Sequence, residues 1–243
     1  IVVALSDKNN FRKKLFPEYK SHRKKIRKPI IVKPLKAYIY KKYQTYRLPD
    51  LEGDDTLGIL ATSKYKDNCI ILSGDKDMRT IPSFHHFIHD NHTELVDEKT
   101  ADYYFMFQTL TGDTSDGYSG CPSVGAIKAE RVLYNSEKTL PSMWKAVVEE
   151  YKRNNLTEKD ALLQARMARI LRTQDYNFKT ILTTNNDNDL VYPRSAIKIF
   201  QAIPFIKSKA EKKDVFRRYG TDLNSLSIGI VKFTHLQSSQ LEM

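Results

Sequence analysis

Short apolar runs of strand length recur in the first half of the chain. Residues 1–5 (Ile-Val-Val-Ala-Leu) and 69–73 (Cys-Ile-Ile-Leu-Ser) are continuous runs of this kind, and residues 82–92 contain a further strand with turns. Continuous apolar runs, rather than alternating ones, are typical of strands that are buried on both faces of a sheet. The pattern therefore predicts a buried sheet that suits parallel strands.

Helical periodicity dominates the second half of the chain. Apolar positions predict a helix over residues 100–110 and amphipathic, bundle-forming helices over residues 140–153 and 157–172. An apolar helix is also predicted around residues 57–61. The side chains that we expect in the helical core are Met143, Trp144, Leu162, Leu163, Met167, Ile170 and Leu171.

Basic residues are concentrated near the start of the chain. From Lys8 to Arg47 there are fifteen Lys and Arg residues and a single carboxylate, Glu18, so this block has a charge of +14. The net charge of the whole chain is +11, so the remaining residues together have a charge of −3. Seven Phe and Tyr residues interleave the charge, which favours nucleic acid with bases available for stacking. A solvated basic face or a nuclear-targeting run is the alternative.

Three prolines divide this basic block, so it cannot be one continuous helix. A helix over residues 19–25 would place Lys20, Arg23 and Lys24 on one face. Such a face could clasp a phosphate or neutralise a developing negative charge. A second helix is predicted over residues 36–46, where tyrosines alternate with lysines.

Carboxylates cluster beyond the predicted strands and at the start of a predicted helix. Three lie within four residues at Glu52, Asp54 and Asp55, where like charges raise one another's pKa unless cations lie nearby. Helix N-termini and turns also favour acidic residues, which explains one or two of them better than three. We therefore predict one acidic pocket that holds a divalent metal beside a phosphodiester. Its further carboxylates are Asp75, Asp77, Asp113 and Asp116.

The ligand types favour a hard divalent cation. An all-oxygen site without His or Cys suits Mg²⁺, with Mn²⁺ as a substitute. Asp7 follows the first strand at the edge where α/β sheets bind ligands, although a turn or N-cap role explains this residue alone better. Four histidines within residues 85–92 lack a cysteine partner, so we expect surface or core histidines rather than zinc ligands. Cys69 and Cys121 are predicted to be reduced thiols.

A glycine-rich loop precedes another predicted helix. Residues 112–125 hold four glycines and a proline, and Lys128 falls in the first turn of the helix that begins near Gly125. The backbone N–H groups of such a turn can bind a phosphate. An ordinary helix–loop–helix connection is the alternative.

Five motifs follow one another along the chain: Asp7, Tyr19-Lys20-x-x-Arg23, Glu52-x-Asp54-Asp55, Gly74-Asp75-Lys76-Asp77 and Gly112-Asp113-x-x-Asp116-Gly117. In this order they resemble the flap-endonuclease family of 5′ nucleases, in particular its T7-type phage 5′–3′ exonucleases. The similarity covers roughly residues 1–180. It implies an α/β fold in which helices flank a central mixed sheet, the PIN-like 5′ nuclease fold. It also implies a helical arch and a helix–three-turn–helix element that grips duplex DNA.

The resemblance assigns roles to single residues. Asp7, Glu52, Asp54 and Asp55 would serve one Mg²⁺, while Asp75, Asp77, Asp113 and Asp116 would complete a second Mg²⁺ and its outer shell. Lys20 and Arg23 would act as catalytic residues on the scissile phosphate. DNA contacts are expected from Arg12, Lys24, Lys25, Gly120, Gly125 and Lys128. The hairpin from Gly120 to Gly125 would also hold a monovalent cation, K⁺.

The predicted activity is two-metal hydrolysis of DNA at a 5′ end or flap, with RNA in RNA–DNA hybrids as a further substrate. One ion would lower the pKa of a bound water, and both would stabilise the in-line displacement. Family members carry an earlier strand with a further metal-binding Asp, and no such segment precedes Ile1. A non-catalytic DNA-binding module is therefore one alternative, and a PIN-type ribonuclease is another.

We expect a soluble, monomeric protein of the cytoplasm, or of the host cytoplasm if the chain is phage-encoded. No apolar run approaches the ~20 residues of a membrane span, and we find no secretory signal. Residues 1–100 would form the nuclease core, with the basic arch at about residues 11–47. Residues 101–183 would form a helical DNA-binding subdomain. Residues 184–243 would form a C-terminal extension without an assigned function. A polar linker at residues 183–189 would lead into it.

Overall fold

The apolar runs become strands of one mixed sheet. In the computed structural model, which describes residues 1–25, 27, 29–176 and 230–232, six strands lie in the order β2-β1-β6-β3-β4-β5. They are β1 (Val2–Ala4), β2 (Gln44–Tyr46), β3 (Ile70–Ser73), β4 (Ser83–Phe87), β5 (His92–Val96) and β6 (Ile230–Lys232). The central mixed sheet predicted from the sequence is confirmed.

The strand directions bring four carboxyl ends to one edge of the sheet. β1 pairs parallel with β2, and β3 pairs parallel with β4. β6 lies between β1 and β3 and is antiparallel to both, so β1 and β3 run in the same direction. β5 pairs antiparallel with β4. Asp7 and Asp75, which follow β1 and β3 in the chain, therefore leave the sheet at the same edge.

The helices begin where polar side chains satisfy their first N–H groups. Asp97, Thr139 and Thr157 each accept a hydrogen bond from a backbone N–H group of the helix that follows. The α-helices of the described residues are α1 (Arg12–Leu15), α2 (Val32–Lys42), α3 (Gly53–Ala61), α4 (Glu98–Thr111), α5 (Ala126–Tyr134), α6 (Leu140–Arg153) and α7 (Glu158–Ala168). Short 3₁₀ helices cover Ser21–Lys25, Lys76–Thr80 and Thr173–Asp175. In this part of the chain, no helix combines the length and the apolar character needed to span a membrane.

Two of the hydrophobic clusters in the described part of the chain lie beneath most of these elements. One packs α3 against the sheet, with Leu57 and Ile71 fully buried. The other gathers α4 to α7 around Leu110 and Tyr151. Because α4 also packs on the 3₁₀ helix that follows β3, it joins the sheet to the helical core. The boundary predicted at residue 100 falls inside α4.

Buried arginines tie the segment after α7 to both cores. Arg172 is 1% exposed, donates to the carbonyl of Thr80 at 3.1 and 3.3 Å, and pairs with Asp102 of α4 at 2.8 Å. Arg169 pairs with Asp175 at 2.7 Å. Removing one partner of a buried ion pair leaves an uncompensated charge, so these contacts fix the position of the segment.

The helix predicted over residues 157–172 ends earlier, at Ala168. Ile170 and Leu171 are buried as predicted, but they lie in a non-helical segment against α3. Gly58 permits this approach because a Cβ atom there would lie 2.2 Å from the carbonyl oxygen of Leu171. The end of α7 is thus set by contact with another element, which periodicity along the chain does not report.

The second helix of the basic block is also displaced from its predicted bounds. α2 begins at Val32 and therefore includes Pro34 in its first turn, where a missing N–H group costs no intrahelical bond. Residues 44–46, predicted to continue the helix, instead form β2 beside β1. The strand with turns predicted over residues 82–92 is confirmed as β4 and the turn that leads into β5.

The remaining predictions for the fold can be compared residue by residue. The strands at β1 and β3 and the helices at α4, α5 and α6 are confirmed. Met143 and Met167 are buried and Leu163 and Trp144 are partly buried, but Leu162 is 39% exposed, which corrects its assignment to the core. The predictions for residues 183–189 and 197–206, and for residues 228–233 apart from β6, fall outside the described residues.

His85 should make the stability of the fold depend on pH. Its buried ring is hydrogen-bonded to the carbonyl of Ile81 at 2.8 Å, and burial lowers the pKa of His85 to about 4. The unfolded chain takes up this proton near pH 6.5, so only the unfolded state gains it between pH 6.5 and 4. The free energy of unfolding should therefore fall as the pH drops through this window, by up to about 3 kcal/mol.

Urea unfolding at several pH values checks this expectation. The variant His85→Gln should lose much of the slope between pH 6.5 and 4. The variant His86→Gln, on the same strand with a partly exposed ring, should keep it. An identical slope in the wild type and in His85→Gln would contradict the prediction.

Candidate metal centre at the edge of the sheet

The acidic motif forms the N-terminus of α3. Glu52 is the N-cap: its side chain accepts from the N–H group of Asp55, and the carboxylate of Asp55 accepts from the N–H group of Glu52 at 3.1 Å. This capping box places both carboxylates at the positive end of the helix dipole. The helix thus begins within the motif. Asp54, in the first turn, is 1% exposed.

Hydrogen bonds connect the end of β1 to this motif. The N–H group of Gly53 donates to the hydroxyl of Ser6 at 3.0 Å, and the N–H group of Asp50 donates to Asp7 at 3.1 Å. Burial acts to raise the pKa of Asp7, but backbone N–H donors and Arg47 together hold it below its usual value. Asp7 therefore lies beside the segment that leads into Glu52.

The structure brings Glu52 and Asp116 together from distant parts of the chain. The phenol oxygen of Tyr19 lies 3.3 Å from Oε2 of Glu52 and 3.1 Å from Oδ2 of Asp116. The ammonium nitrogen of Lys20 lies 3.3 Å from Oε1 of Glu52 and 3.5 Å from Oδ2 of Asp116. Arg23 donates to Oδ1 of Asp116 at 2.9 Å. One buried phenol and two cations thus bridge or flank a pair of carboxylates.

A close backbone approach holds Lys20 beside Asp116. The N–H group of Lys20 donates to the carbonyl of Asp116 at 2.8 Å. Lys20 has a φ of 53°, in the left-handed region, so it lies just before the 3₁₀ helix. It therefore does not share a helical face with Arg23, which corrects the prediction. Gly117 has a φ of 80°, and a Cβ atom there would lie 3.2 Å from the carbonyl oxygen of Glu18. The turn chemistry of the loop therefore sets where Lys20 points.

Arg12 is buried, which corrects its predicted role as a DNA contact. Its guanidinium is 0% exposed and binds Glu52 at 3.1 Å and Asp55 at 3.1 and 3.3 Å. Burial acts to raise the pKa of Glu52, but Lys20 and Arg12 more than offset this effect and hold it below its usual value. Burial raises the pKa of Asp55 to about 7, against the opposing effect of Arg12. The arginine thus faces the acidic motif rather than solvent.

The other predicted carboxylates stabilise turns near this edge. Asp113 accepts hydrogen bonds from the N–H groups of Ser115 at 2.7 Å and Asp116 at 3.3 Å, so it shapes the turn that presents Asp116. Asp75 caps the 3₁₀ helix after β3 by accepting from the N–H group of Asp77 at 3.0 Å. The amide of Gln108 on α4 donates to Asp77.

Only part of the predicted ligand set is thus brought into direct contact. Within the described ranges, no three His, Cys, Asp or Glu side chains form a group that could hold one ion. The sets predicted for two ions are not grouped in this way, and the metal-binding roles of Asp7, Asp54, Asp55, Asp75, Asp77 and Asp113 remain predictions. Glu52 and Asp116, from distant parts of the chain, share Tyr19 and Lys20 as partners.

The Glu52–Asp116 pair fits a divalent metal on the chemistry of its donors. All its donor atoms are carboxylate oxygens, which Mg²⁺ and Mn²⁺ prefer. The ammonium of Lys20 lies between the two carboxylates, at a place where the structure already favours a positive ion. Mg²⁺ commonly takes one or two carboxylates and completes its shell with water and substrate phosphate, so two carboxylates are enough.

The glycine-rich loop is held by its own backbone. Gly112 and Gly120 have φ values of 68° and 69°, and a Cβ atom on Gly120 would lie 2.3 Å from the nitrogen of Gly112. The N–H group of Gly120 donates to the side chain of Gln164 at 2.9 Å. It is therefore bonded within the protein, whereas the sequence predicted that it would face a phosphate. Gly125 differs, because it is the exposed N-cap of α5 with open space around it.

The predicted basic contacts lie on two surfaces. Lys24 and Lys25 belong to the 3₁₀ helix of the basic block, and Lys25 is exposed. The ammonium of Lys128 on α5 is paired with the buried Glu150 at 2.6 Å, although its side chain is 44% exposed. These lysines remain predicted DNA contacts.

The sequence interpretation missed three residues of the site. Tyr19 stands in the Tyr19-Lys20-x-x-Arg23 motif and among the interleaved aromatics, but the sequence interpretation gave it no role in the site. Ser6 and Gln108 carry no signal of their own, since their roles depend on which carboxylate or N–H group faces them in the fold. The position of Tyr19 beside a predicted catalytic lysine is the one usable clue.

Comparisons with known proteins find relatives of this chain by sequence and by fold. The family model of the 5′-3′ exonuclease N-terminal resolvase-like domain matches residues 1–105. The exonuclease of Escherichia phage T7 is 32% identical over 212 residues, which cover 73% of this chain and 70% of that protein. The zinc-bound T5 5′-exonuclease has a TM-score of 0.51 at 13% identity, over 68% of this chain and 71% of its own. The T5 D15 flap endonuclease complex with DNA and metal ions has a TM-score of 0.50 at 15% identity, over 66% of this chain and 70% of its own.

Substituting the two loop glycines should separate a structural position from an exposed one. Gly120→Ala combines a left-handed φ with a clash against the backbone of Gly112, so it should destabilise the protein by about 2 kcal/mol or more. Gly125→Ala, with an extended backbone and open space, should change stability by less than about 0.5 kcal/mol. Chemical unfolding of both variants checks this, and equal losses would contradict the described packing.

Proposed function

This chain belongs to the family of 5′–3′ exonucleases and flap endonucleases, and on that premise we propose that Glu52 and Asp116 hold the divalent metal with which it cuts DNA. The enzyme is a metal-dependent 5′–3′ exonuclease of the flap-endonuclease type. The observation that carries the assignment of the site is the ammonium of Lys20, within 3.5 Å of both carboxylates. A metal ion beside Glu52 and Asp116 would meet the same two carboxylates that now attract the ammonium of Lys20.

We propose Mg²⁺ as the resident ion, with Mn²⁺ able to replace it. The carboxylate oxygens of Glu52 and Asp116 are hard donors, and the predicted site contains neither His nor Cys. A divalent metal supplies a coordinated water of lowered pKa and neutralises charge on the phosphate. Asp75 and Asp77, at the same edge of the sheet, are the proposed ligands of a second ion.

Lys20 and Arg23 would bind the scissile phosphate. Both already contact Asp116, so their positive charge lies at the place that an anionic substrate must approach to reach the metal. Fixed charge of this kind stabilises the transition state because it needs no rearrangement when the phosphate gains charge. Tyr19 would keep the two carboxylates at a constant separation through its bridging hydroxyl.

The substrate proposed is DNA with a 5′ end or flap. The basic block carries +14 from Lys8 to Arg47, which attracts a phosphate backbone. On α2, Tyr38 and Tyr40 are 44% and 49% exposed and could stack on unpaired bases. The T5 flap endonuclease, solved in a complex with DNA and metal ions, supports a DNA substrate. Cleavage of RNA in hybrids, a K⁺ ion at the hairpin from Gly120 to Gly125 and a monomeric cytoplasmic state remain predictions.

Removing either carboxylate charge should abolish cleavage while DNA binding persists. Glu52→Gln and Asp116→Asn keep the size of the side chain but weaken the attraction for a metal ion. We expect the cleavage rate of a labelled 5′-flap duplex in Mg²⁺ to fall by about 100-fold or more. Gel-shift binding of the same duplex in EDTA should persist, because phosphate contacts supply most of the affinity.

Glu149→Gln, on an exposed position of α6, is the matched control and should cleave like the wild type. Parallel loss of binding and cleavage in Glu52→Gln would mean that the residue is structural. Binding without cleavage in the wild-type protein would instead favour a non-catalytic DNA-binding module.

Replacing Lys20 should separate metal affinity from catalysis. Lys20→Gln removes the cation that neutralises Glu52 and Asp116, so the affinity for Mn²⁺ should rise. The rate of cleavage at saturating Mn²⁺ should fall by about 100-fold, because the phosphate loses a positive partner. Mn²⁺ titration monitored by electron paramagnetic resonance and single-turnover cleavage measure the two effects. A lower rate with weaker Mn²⁺ binding would contradict this prediction.

A further inference from the structure

Arg12 is held more tightly than a structural ion pair at a surface would require. One guanidinium nitrogen bonds Oε2 of Glu52 at 3.1 Å and Oδ2 of Asp55 at 3.3 Å. The other bonds Oδ1 of Asp55 at 3.1 Å and the carbonyl oxygen of Arg169 at 3.2 Å. The guanidinium also lies over the ring of Tyr19, 5.5 Å from its centroid. The side chain is fully buried, so it has no route to solvent or DNA in this arrangement.

The two oxygens of Glu52 face different partners. Oε2 accepts from Arg12 and Tyr19, both of which are fully buried. Oε1 faces the ammonium of Lys20, which also contacts Asp116. Rotating the carboxylate of Glu52 would break the bonds from the buried side. Arg12, together with Tyr19, therefore fixes the orientation in which the carboxylate of Glu52 faces the place shared with Asp116.

Asp55 anchors this arginine to the far end of the helical region. Its Oδ1 accepts from the backbone N–H group of Leu171 at 3.4 Å as well as from Arg12. The carbonyl of Arg169 closes the same group of contacts. The fork of the guanidinium matches the two oxygens of one carboxylate, a geometry that the single ammonium of lysine cannot reproduce.

We propose that Arg12 is a positioning residue for the metal site, acting through Glu52, rather than a DNA contact. This inference rests on the proposed function, in which Glu52 is a metal ligand. Residues that hydrogen-bond to a metal ligand and orient it typically contribute about 10- to 100-fold to metal affinity or activity. The neutralising charge and the orienting geometry can be separated, because lysine keeps the charge and loses the fork.

The test compares Arg12→Lys with a destabilising substitution in the helical core. Arg12→Lys keeps the positive charge beside Glu52. Met143→Ala is the control for destabilisation, since Met143 is 1% exposed and belongs to the hydrophobic core of α4 to α7. Mn²⁺ affinity is measured by electron paramagnetic resonance at low temperature, with sucrose to favour the folded state of both variants. Circular dichroism confirms folding, and flap-DNA binding is measured in EDTA.

We expect Arg12→Lys to weaken Mn²⁺ binding by about 10-fold or more, while Met143→Ala leaves it unchanged despite a loss of melting temperature. DNA binding in EDTA should be unchanged in both variants. Unchanged Mn²⁺ affinity in Arg12→Lys overturns the inference, as does an equal loss in Met143→Ala, which would mark a general effect of destabilisation. Weaker DNA binding with normal Mn²⁺ affinity would restore the DNA contact.

Glu52→Gln, measured in the same titration, separates this inference from the proposed function. If Glu52→Gln binds Mn²⁺ like the wild type, Glu52 is not a ligand and the proposed function fails at this residue. If Glu52→Gln loses affinity and Arg12→Lys does not, the ligand assignment stands and the positioning role of Arg12 is wrong.

Discussion

Two negative charges that are held close together, those of Glu52 and Asp116, must be neutralised by the protein around them. Glu52 and Asp116 would repel each other unless positive groups lay within a few ångströms. The fold supplies Lys20 between them and Arg23 beside Asp116, and it places Arg12 behind Glu52. The elements that carry these cations must therefore keep them close to the two carboxylates.

The two cations that touch Glu52 differ in how firmly they are held. Arg12 is enclosed by Asp55, aromatic rings and the carbonyl of Arg169, so it acts as a fixed part of the protein. Lys20 keeps 9% of its side chain exposed and makes longer contacts, at 3.3 and 3.5 Å. In the proposed site, the looser hold on Lys20 would let a metal ion take its place, whereas the enclosed charge of Arg12 would orient Glu52.

The same site explains features of the fold that lie away from the chemistry. Gly58 lets the segment after α7 reach α3, which brings the carbonyl of Arg169 and the N–H group of Leu171 to the acidic motif. Arg172 holds that segment against α4 and the 3₁₀ helix after β3. The left-handed glycines of the loop after α4 then turn Asp116 towards Lys20. Helical core and sheet thus meet around one group of charges.

Features that depend on residues close together in the chain could be predicted from the sequence. Continuous apolar runs predicted β1 and β3, helical periodicity predicted α4 and α6, and the crowding of Glu52, Asp54 and Asp55 marked the acidic motif. The tertiary structure decided what depends on distant neighbours. It buried Arg12, which the sequence placed on DNA, it ended α7 at Ala168, and it made a strand of residues 44–46. It also brought Glu52 and Asp116, two of the eight candidate carboxylates, onto shared partners. These outcomes follow from burial and from strand pairing across long stretches of chain, and neither leaves a periodic trace in the residues concerned.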